Sequence, residues 1–336
     1  MNIAAPNAAG MSMNRYQQFD IDAAGLILNN SLVGGGTLLG GNVAGNTNLN
    51  GRAASLIINE VNSGAFASQL NGSLEVFGAP AHVIIANPNG INCTGCAFVN
   101  APRLTLTTGA VEFLSASNGS LTAFANATAL AFDVTSGHVT VDGIGIEGTT
   151  GRMDIIAQTM TIEAALRANL GSGANSQINL IAGRNRVAED ANGNYIVSAN
   201  AAANSAEAVK AASPSQSSVQ NGYAIDASAL GAMTAGQIKI IATTEGLGVK
   251  TDGALAATAG NLTIDSSGQI RVGNAYAKQD VNLNARGDLD VSGKVVAAQN
   301  SALATGGVYA GGNSRLVQAH FGLEGGAVDI WMGTLS

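Results

Sequence analysis

Residues 262–291 read LTIDSSGQIRVGNAYAKQDVNLNARGDLDV, and the two halves of this stretch follow one pattern. Leu262-Thr263-Ile264 returns as Val281-Asn282-Leu283, and Ile270-Arg271-Val272 returns as Leu289-Asp290-Val291, each after 19 residues. Within every triplet the outer residues are aliphatic and the middle one polar, the alternation of a half-buried strand. Gly, Asn, Asp and Ser fill the intervals, where the chain must turn. Two or three short strands per period of about 20 residues, at matched offsets, indicate stacked coils. An antiparallel sandwich needs no such match. Coils about 4.8 Å apart would bring equivalent positions into aliphatic ladders inside and Asn or Thr ladders at the corners. The expected fold is all-β, a right-handed parallel β-helix.

The same in-out-in pattern runs back through Ile238-Lys239-Ile240-Ile241, Ile178-Asn179-Leu180-Ile181, Met160-Thr161-Ile162, Met153-Asp154-Ile155-Ile156, Ile144-Gly145-Ile146 and Val139-Thr140-Val141. Residues 51–183 and 223–330 are therefore assigned to coils. Residues 2–50 are expected to cap the stack, because an open end would expose unpaired backbone and an apolar core. Within that cap, 17–22 and 26–28 read as short strands, and glycines 34–36 and 40–41 break the chain. Residues 123–130 are apolar without strict alternation and suggest a hairpin or loop outside the helix. Residues 184–222 carry almost no inward ladder. They include an Ala-rich, helix-compatible segment, 198–212, stopped before Pro214, and read as a surface excursion. Residues 1–336 are taken as one domain on this plan.

Composition narrows the alternatives. Charged residues make up 11% and aromatics 4% of the 336 residues, with 44 glycines, so the core must be narrow and aliphatic. Hydrophobic residues at 46% oppose disorder. A net charge of −7 without a Lys/Arg cluster leaves no electrostatic footprint for nucleic acid. The sequence holds no apolar run of about eighteen residues, so no membrane-spanning helix is expected.

The most specific local stretch is 81–109, AHVIIANPNGINCTGCAFVNAPRLTLTTG. Two apolar strands, 82–86 and 103–107, flank Asn87-Pro88-Asn89-Gly90, which reads as a type I turn. Asn opens the turn, Pro sets φ at the second position and Gly closes it. Pro88 also holds Asn87 extended. Cys93-Thr94-Gly95-Cys96 follows and is placed to staple the next bend. A zinc site would need about four ligands, and His82, His138 and His320 show no partner spacing. A thioredoxin-like redox pair would sit at a helix start, whereas strands flank this one. A structural Cys93–Cys96 disulfide in an oxidising compartment fits the pair best.

Taken together, ANPNGI, the CxxC pair and FVNAPRLTLTTG resemble the secretion domain of two-partner secretion exoproteins, the filamentous-haemagglutinin and contact-dependent growth-inhibition type. The opening, NIAAPNAAGMSMNRYQQFDIDAAGLILNNS at 2–31, is similar to the start of the mature chain in that family. The resemblance covers most of residues 2–320. Asn46-Thr47-Asn48-Leu49 resembles the family's first turn motif, Asn-Pro-Asn-Leu, with Thr47 in place of Pro. The resemblance implies a targeting module, a monomer without cofactor, at the N-terminus of a large exoprotein. That exoprotein would pass through the periplasm to the cell surface by way of an outer-membrane transporter barrel. The turn residues Asn46, Asn48, Leu49, Asn87, Pro88, Asn89, Gly90 and Ile91 are the candidates for recognition by the transporter. Family members enter the periplasm behind a cleaved leader, so Met1 is read as opening a mature domain.

Other chemistry is thinly supported. Gly143-Ile144-Gly145-Ile146-Glu147-Gly148 matches G-x-G-x-x-G, but a dinucleotide site needs a strand before it and a helix after it, and strands lie on both sides here. Some β-helices cleave polysaccharides with a groove of carboxylates. Asp265, Asp288 and Asp290, flanked by Arg271 and Arg286, are the best local candidates. Asp288 and Asp290 bracket inward Leu289 and should face solvent, so no catalytic or metal-binding residue is assigned. An adhesive or carbohydrate-binding helix would want an exposed aromatic row, and one Trp and five Tyr offer little material for it.

Overall fold

The computed structural model describes residues 1–116, 119–148, 150–168, 176–200, 204–298, 301–305, 309–310 and 328–332. Its contacts group into two units. One comprises Met1–Thr150, Asp154–Gln158 and Asn185–Ser198; the other comprises Gly151–Met153, Thr159–Arg184 and Ala199–Ser336.

In the second unit the repeat becomes geometry. Gln237–Ala242, Gly248–Thr251 and Leu255–Ala257 make one coil. Leu262–Ser266, Ile270–Val272 and Ala275–Ala277 make the next, and Val281–Ala285, Leu289–Val291 and Val295–Ala297 the one after. Each strand pairs in parallel with its equivalent: Ile238 beside Leu262 beside Val281, Val249 beside Ile270 beside Leu289, and Leu255 beside Ala275 beside Val295. The 19-residue offset is the register itself. Leu262, Ile264, Val281 and Leu283 are buried, while Thr263 and Asn282 stand half-exposed on the outer face. At the corners, Asn261 Oδ1 accepts the Asp280 N–H and Asn274 Oδ1 accepts the Lys294 N–H, both at 3.0 Å. Each corner amide therefore ties its coil to the next.

The later part of the 184–222 stretch, in this unit, forms helices Ala206–Ala212 and Ser217–Gln220. Ser205 caps the first through its Oγ, which accepts the Ala208 N–H at 3.3 Å. Buried Asn204 anchors the segment: its Oδ1 accepts from the Arg184 N–H and the Thr244 hydroxyl, and its Nδ2 donates to Thr243.

In the first unit Met11–Tyr16, Leu56–Val61, His82–Ala86 and Arg103–Thr107 stack in parallel. A second face runs from Leu26–Asn30 through Ser73–Gly78 and Ile91–Val99 to His138–Gly148. Asparagine amides close the edge of the first strand and the turns around it. Asn14 bridges Ala4 N–H and Ile58 C=O, and Asn29 donates to Asn2 and Ala44. Asn30 donates to Ala54 C=O and Ala79 C=O. Most of these bonds satisfy backbone groups beside the first strand.

Two details differ from the sequence reading, and a third gives the hairpin expected outside the helix its strands. The cap's first strand is Met11–Tyr16, whose MSMNRY shows no clean alternation, while 17–22 contributes buried Phe19 and Ile21 without extended pairing. The glycine-rich segment folds as an antiparallel hairpin, Gly35–Thr37 against Gly41–Val43, rather than simply breaking the chain. The apolar stretch after residue 123 supplies a short turn, Phe124–Asn126, and then strand Ala129–Asp133. That strand pairs antiparallel with Ala110–Leu114 and Asn185–Glu189, and Tyr195–Ala199 completes a four-stranded sheet outside the coils.

Candidate recognition site

Both asparagine motifs build the same device. At the second, the Gly90 N–H donates to the Asn87 carbonyl at 3.0 Å, closing a four-residue turn, and the Asn89 N–H donates to Asn87 Oδ1 at 3.0 Å. Asn87 is buried, and its Nδ2 donates to the Phe66 carbonyl at 3.0 Å and to Ser68 Oγ at 3.1 Å. Pro88 is half-buried and Asn89 is exposed. Gly90 has φ +121°, and a Cβ there would lie 2.8 Å from the His138 carbonyl oxygen, so both backbone and space require glycine. Ile91 is buried and starts the next strand.

At the first motif, the Leu49 N–H donates to the Asn46 carbonyl at 3.3 Å and the Asn48 N–H to Asn46 Oδ1 at 3.0 Å. Buried Asn46 gives its Nδ2 to the Ile3 and Asn29 carbonyls, both at 2.9 Å. Leu49 is buried and Asn48 exposed. The turn survives without proline because the Asn46 side chain, rather than a fixed φ, organises it. In each motif the first asparagine is thus an inner brace and the third faces outward. Leaving either brace's amide unpaired would cost about 1–3 kcal/mol.

The cysteine pair lies inside strand Ile91–Val99 rather than at a bend, with both side chains buried. Cys93 and Cys96 are disulfide-bonded, 5.5 Å apart at Cα. The neighbouring strand answers with a bulge: its register shifts between Asp142 and Ile146, opposite Thr94 and Cys96. Gly143 and Gly145, with φ +65° and +87°, make that bulge. These glycines of the G-x-G-x-x-G motif therefore shape a strand beside the disulfide. Because the loop closed is so short, refolding without the bond is expected to lower stability by only about 1–2 kcal/mol. Thermal melts of oxidised and reduced protein check this, with intact masses differing by two hydrogens. Two free thiols in exported protein would reject the bond.

Asp265, Asp288 and Asp290 do not form a groove. None is buried; Asp265 accepts from Asn284 at 3.3 Å on one face, while Asp290 stands beside Arg271 on another. Among the described residues, no group of three or more His, Cys, Asp or Glu could hold a metal ion.

One cluster escapes sequence reading. Arg103 Nε donates to Asp154 at 2.9 Å, one terminal nitrogen to both Glu189 oxygens at 2.9 Å, and the other to the Tyr195 hydroxyl at 2.9 Å. Burial opposes the guanidinium charge, but attraction from Asp154, Tyr195 and Glu189 outweighs it and raises the Arg103 pKa. The partners lie 51, 86 and 92 residues away, so no local pattern marks them.

Coils stacked in register behind an amide-stitched cap, their corners turned by asparagine, define a parallel β-helix. Residues 1–272 match the TPS secretion domain, and the chain belongs to that family. It is 36% identical over 303 residues to "Toxin CdiA" of Yersinia pestis, covering 90% of this chain and 8% of that protein. It is 33% identical over 308 residues to "Filamentous hemagglutinin" of Bordetella pertussis, covering 91% and 8%. The crystal structure of a filamentous hemagglutinin secretion domain superposes with a TM-score of 0.69 at 32% identity, over 98% of this chain and 93% of that one. The chain thus spans about 8% of the length of these full-length relatives.

Proposed function

We propose that this chain is the targeting module of a larger exoprotein, recognised in the periplasm by the soluble domains of an outer-membrane transporter. It then starts β-helix folding at the cell surface and is itself non-catalytic and monomeric. Relatives named for different activities, a toxin, a 16S rRNA endonuclease and a hemagglutinin, all carry a segment similar to this chain. A segment common to unlike activities suits the step they share, which is export. The observation that carries the reading is the corner at Asn87–Gly90, where the buried Asn87 brace organises a turn whose tip is the exposed Asn89. Stacking supplies the direction of folding. Each coil needs a preceding coil to pair its backbone and cover its core, so order propagates from a capped end without a nucleotide-driven motor.

Asn89→Ser keeps a turn-compatible residue and is expected to cost less than about 1 kcal/mol. Export from cells carrying the cognate transporter should nevertheless fall sharply. Melting temperature and export are measured on the same variant. Unchanged export at Asn89→Ser, with Gly90→Val losing export and stability together, would confine this corner to a folding role.

A further inference from the structure

We propose, resting on that reading, that the Cys93–Cys96 bond is made in the periplasm while the chain is still unfolded, by exchange with a thiol–disulfide oxidant. Folding at the cell surface then seals it. Both cysteines are fully buried, while Thr94 between them is exposed and Gly95 half-exposed. Cys93 lies in register between Leu70 of one coil and Val141 of the next, and Cys96 pairs with Ile146. Leu70, Val141 and Ile146 are fully buried as well. The sulfurs are therefore rungs of the aliphatic ladder, covered by the coils beside them. The strand that carries them also serves two neighbours. Ile91–Cys93 pairs with Ser68–Leu70, and Ala97–Val99 pairs with Ser73–Glu75, so the C-x-x-C loop spans the junction between the two.

Exchange requires a thiolate to attack a sulfur of the incoming disulfide, through a mixed-disulfide intermediate. In the folded chain that sulfur would have to enter the ladder between Leu70 and Val141, and apolar surroundings also disfavour the thiolate. The unfolded chain sets neither obstacle, and two thiols three residues apart need close only a short loop. One cysteine thiolate attacks the oxidant's disulfide and displaces one of its sulfurs as a thiolate. The other cysteine thiolate then attacks the mixed disulfide, forming the Cys93–Cys96 bond and releasing the second sulfur. The pair gives up two electrons and two protons, and the oxidant leaves as a dithiol. A bond closed this early constrains the junction before either neighbouring strand pairs with it. Its effect therefore falls on the unfolded chain that is about to be exported.

The test has two arms. In the first, the whole oxidised chain is treated with dithiothreitol, folded and in urea, and free thiols are counted by alkylation and intact mass. Reduction of the folded chain is expected to be at least about a hundredfold slower, because it must wait for the coils to separate. Equal rates would show that the fold admits a thiol reagent and would overturn the sealing. In the second, the chain is exported from cells that carry the cognate transporter but lack the periplasmic oxidant, and it should emerge with two free thiols. Cystine supplied during synthesis should restore the bond, whereas cystine added after export should leave the thiols free. A bond formed without the oxidant, or restored equally by late cystine, would overturn the proposed order. Failure of the chain to be exported even from oxidant-competent cells would overturn the export reading instead, and the reduction rates would still decide whether the fold seals the bond.

Discussion

Arg103→Ala is expected to destabilise the protein by roughly 3 kcal/mol, since breaking a buried ion pair removes the cation that offsets its partner's lost hydration. Asp154 is fully buried, and the substitution removes its cation while the carboxylate stays out of water. Arg103 and Glu189 keep side-chain exposures of 21% and 30%, so the effect belongs at the low end of the range for buried pairs. Arg103→Lys should cost less, because it keeps the charge, yet more than nothing. An ammonium is a single point and cannot serve Asp154, both Glu189 oxygens and Tyr195 in the fixed geometry of a guanidinium. The guanidinium also lies 5.9 Å from the Tyr195 ring centre, a contact that lysine would make differently. Glu189 and Tyr195 belong to the antiparallel sheet outside the coils, so Arg103→Ala should also loosen the turn between them. Denaturant melts and limited proteolysis at residues 190–194 measure both effects. A melt unchanged from the parent would mean that water screens the cluster as it does an ordinary surface pair.

That cluster marks the boundary of what the sequence discloses. The coil register was legible because it depends on translation along the chain: Leu262 pairs Val281 and Ile270 pairs Leu289 at the spacing their aliphatic pattern announces. The Asn87–Gly90 turn was legible because its four residue types encode its geometry locally. The end of the stack was not. Met11–Tyr16 is a strand because Leu56–Val61 offers it a parallel edge, and no internal alternation advertises that. Likewise the cysteines read as a bend because C-x-x-C with an inner glycine suits one. In the fold, Gly95 at φ +72° and the facing Gly143-Ile144-Gly145 bulge absorb the short disulfide within a continuing strand. The asparagine braces show the same division. Which residue faces outward could be guessed from the turn, but the carbonyl each brace reaches depends on a neighbouring coil.

The strongest effect on folding should come from Leu283→Asp, expected to cost at least about 4 kcal/mol, the sum of a lost aliphatic contact and a buried charge without a partner. Leu283 is 1% exposed and lies in register between Ile264 of the preceding coil and Leu303 of the following one. Its neighbour Asn282 points the other way, half-exposed beside Thr263, so Asn282→Asp should stay within about 0.5 kcal/mol of the parent. One residue of phase separates the two substitutions, and the strand period of two makes that separation decisive. The damage should also spread along the stack. Each coil is stabilised mainly through its neighbours, so a carboxylate at one rung withdraws support from the coils on both sides. Thermal melts compare the two variants, and hydrogen exchange should show lost protection at 262–266 together with 281–285 in Leu283→Asp alone. Equal melts for the two would place the in-out phase of this coil one residue away from where the ladder puts it. Lost protection confined to 281–285 would contradict the coupling between coils, and with it the propagation of order from a capped end on which the proposed folding at the cell surface depends.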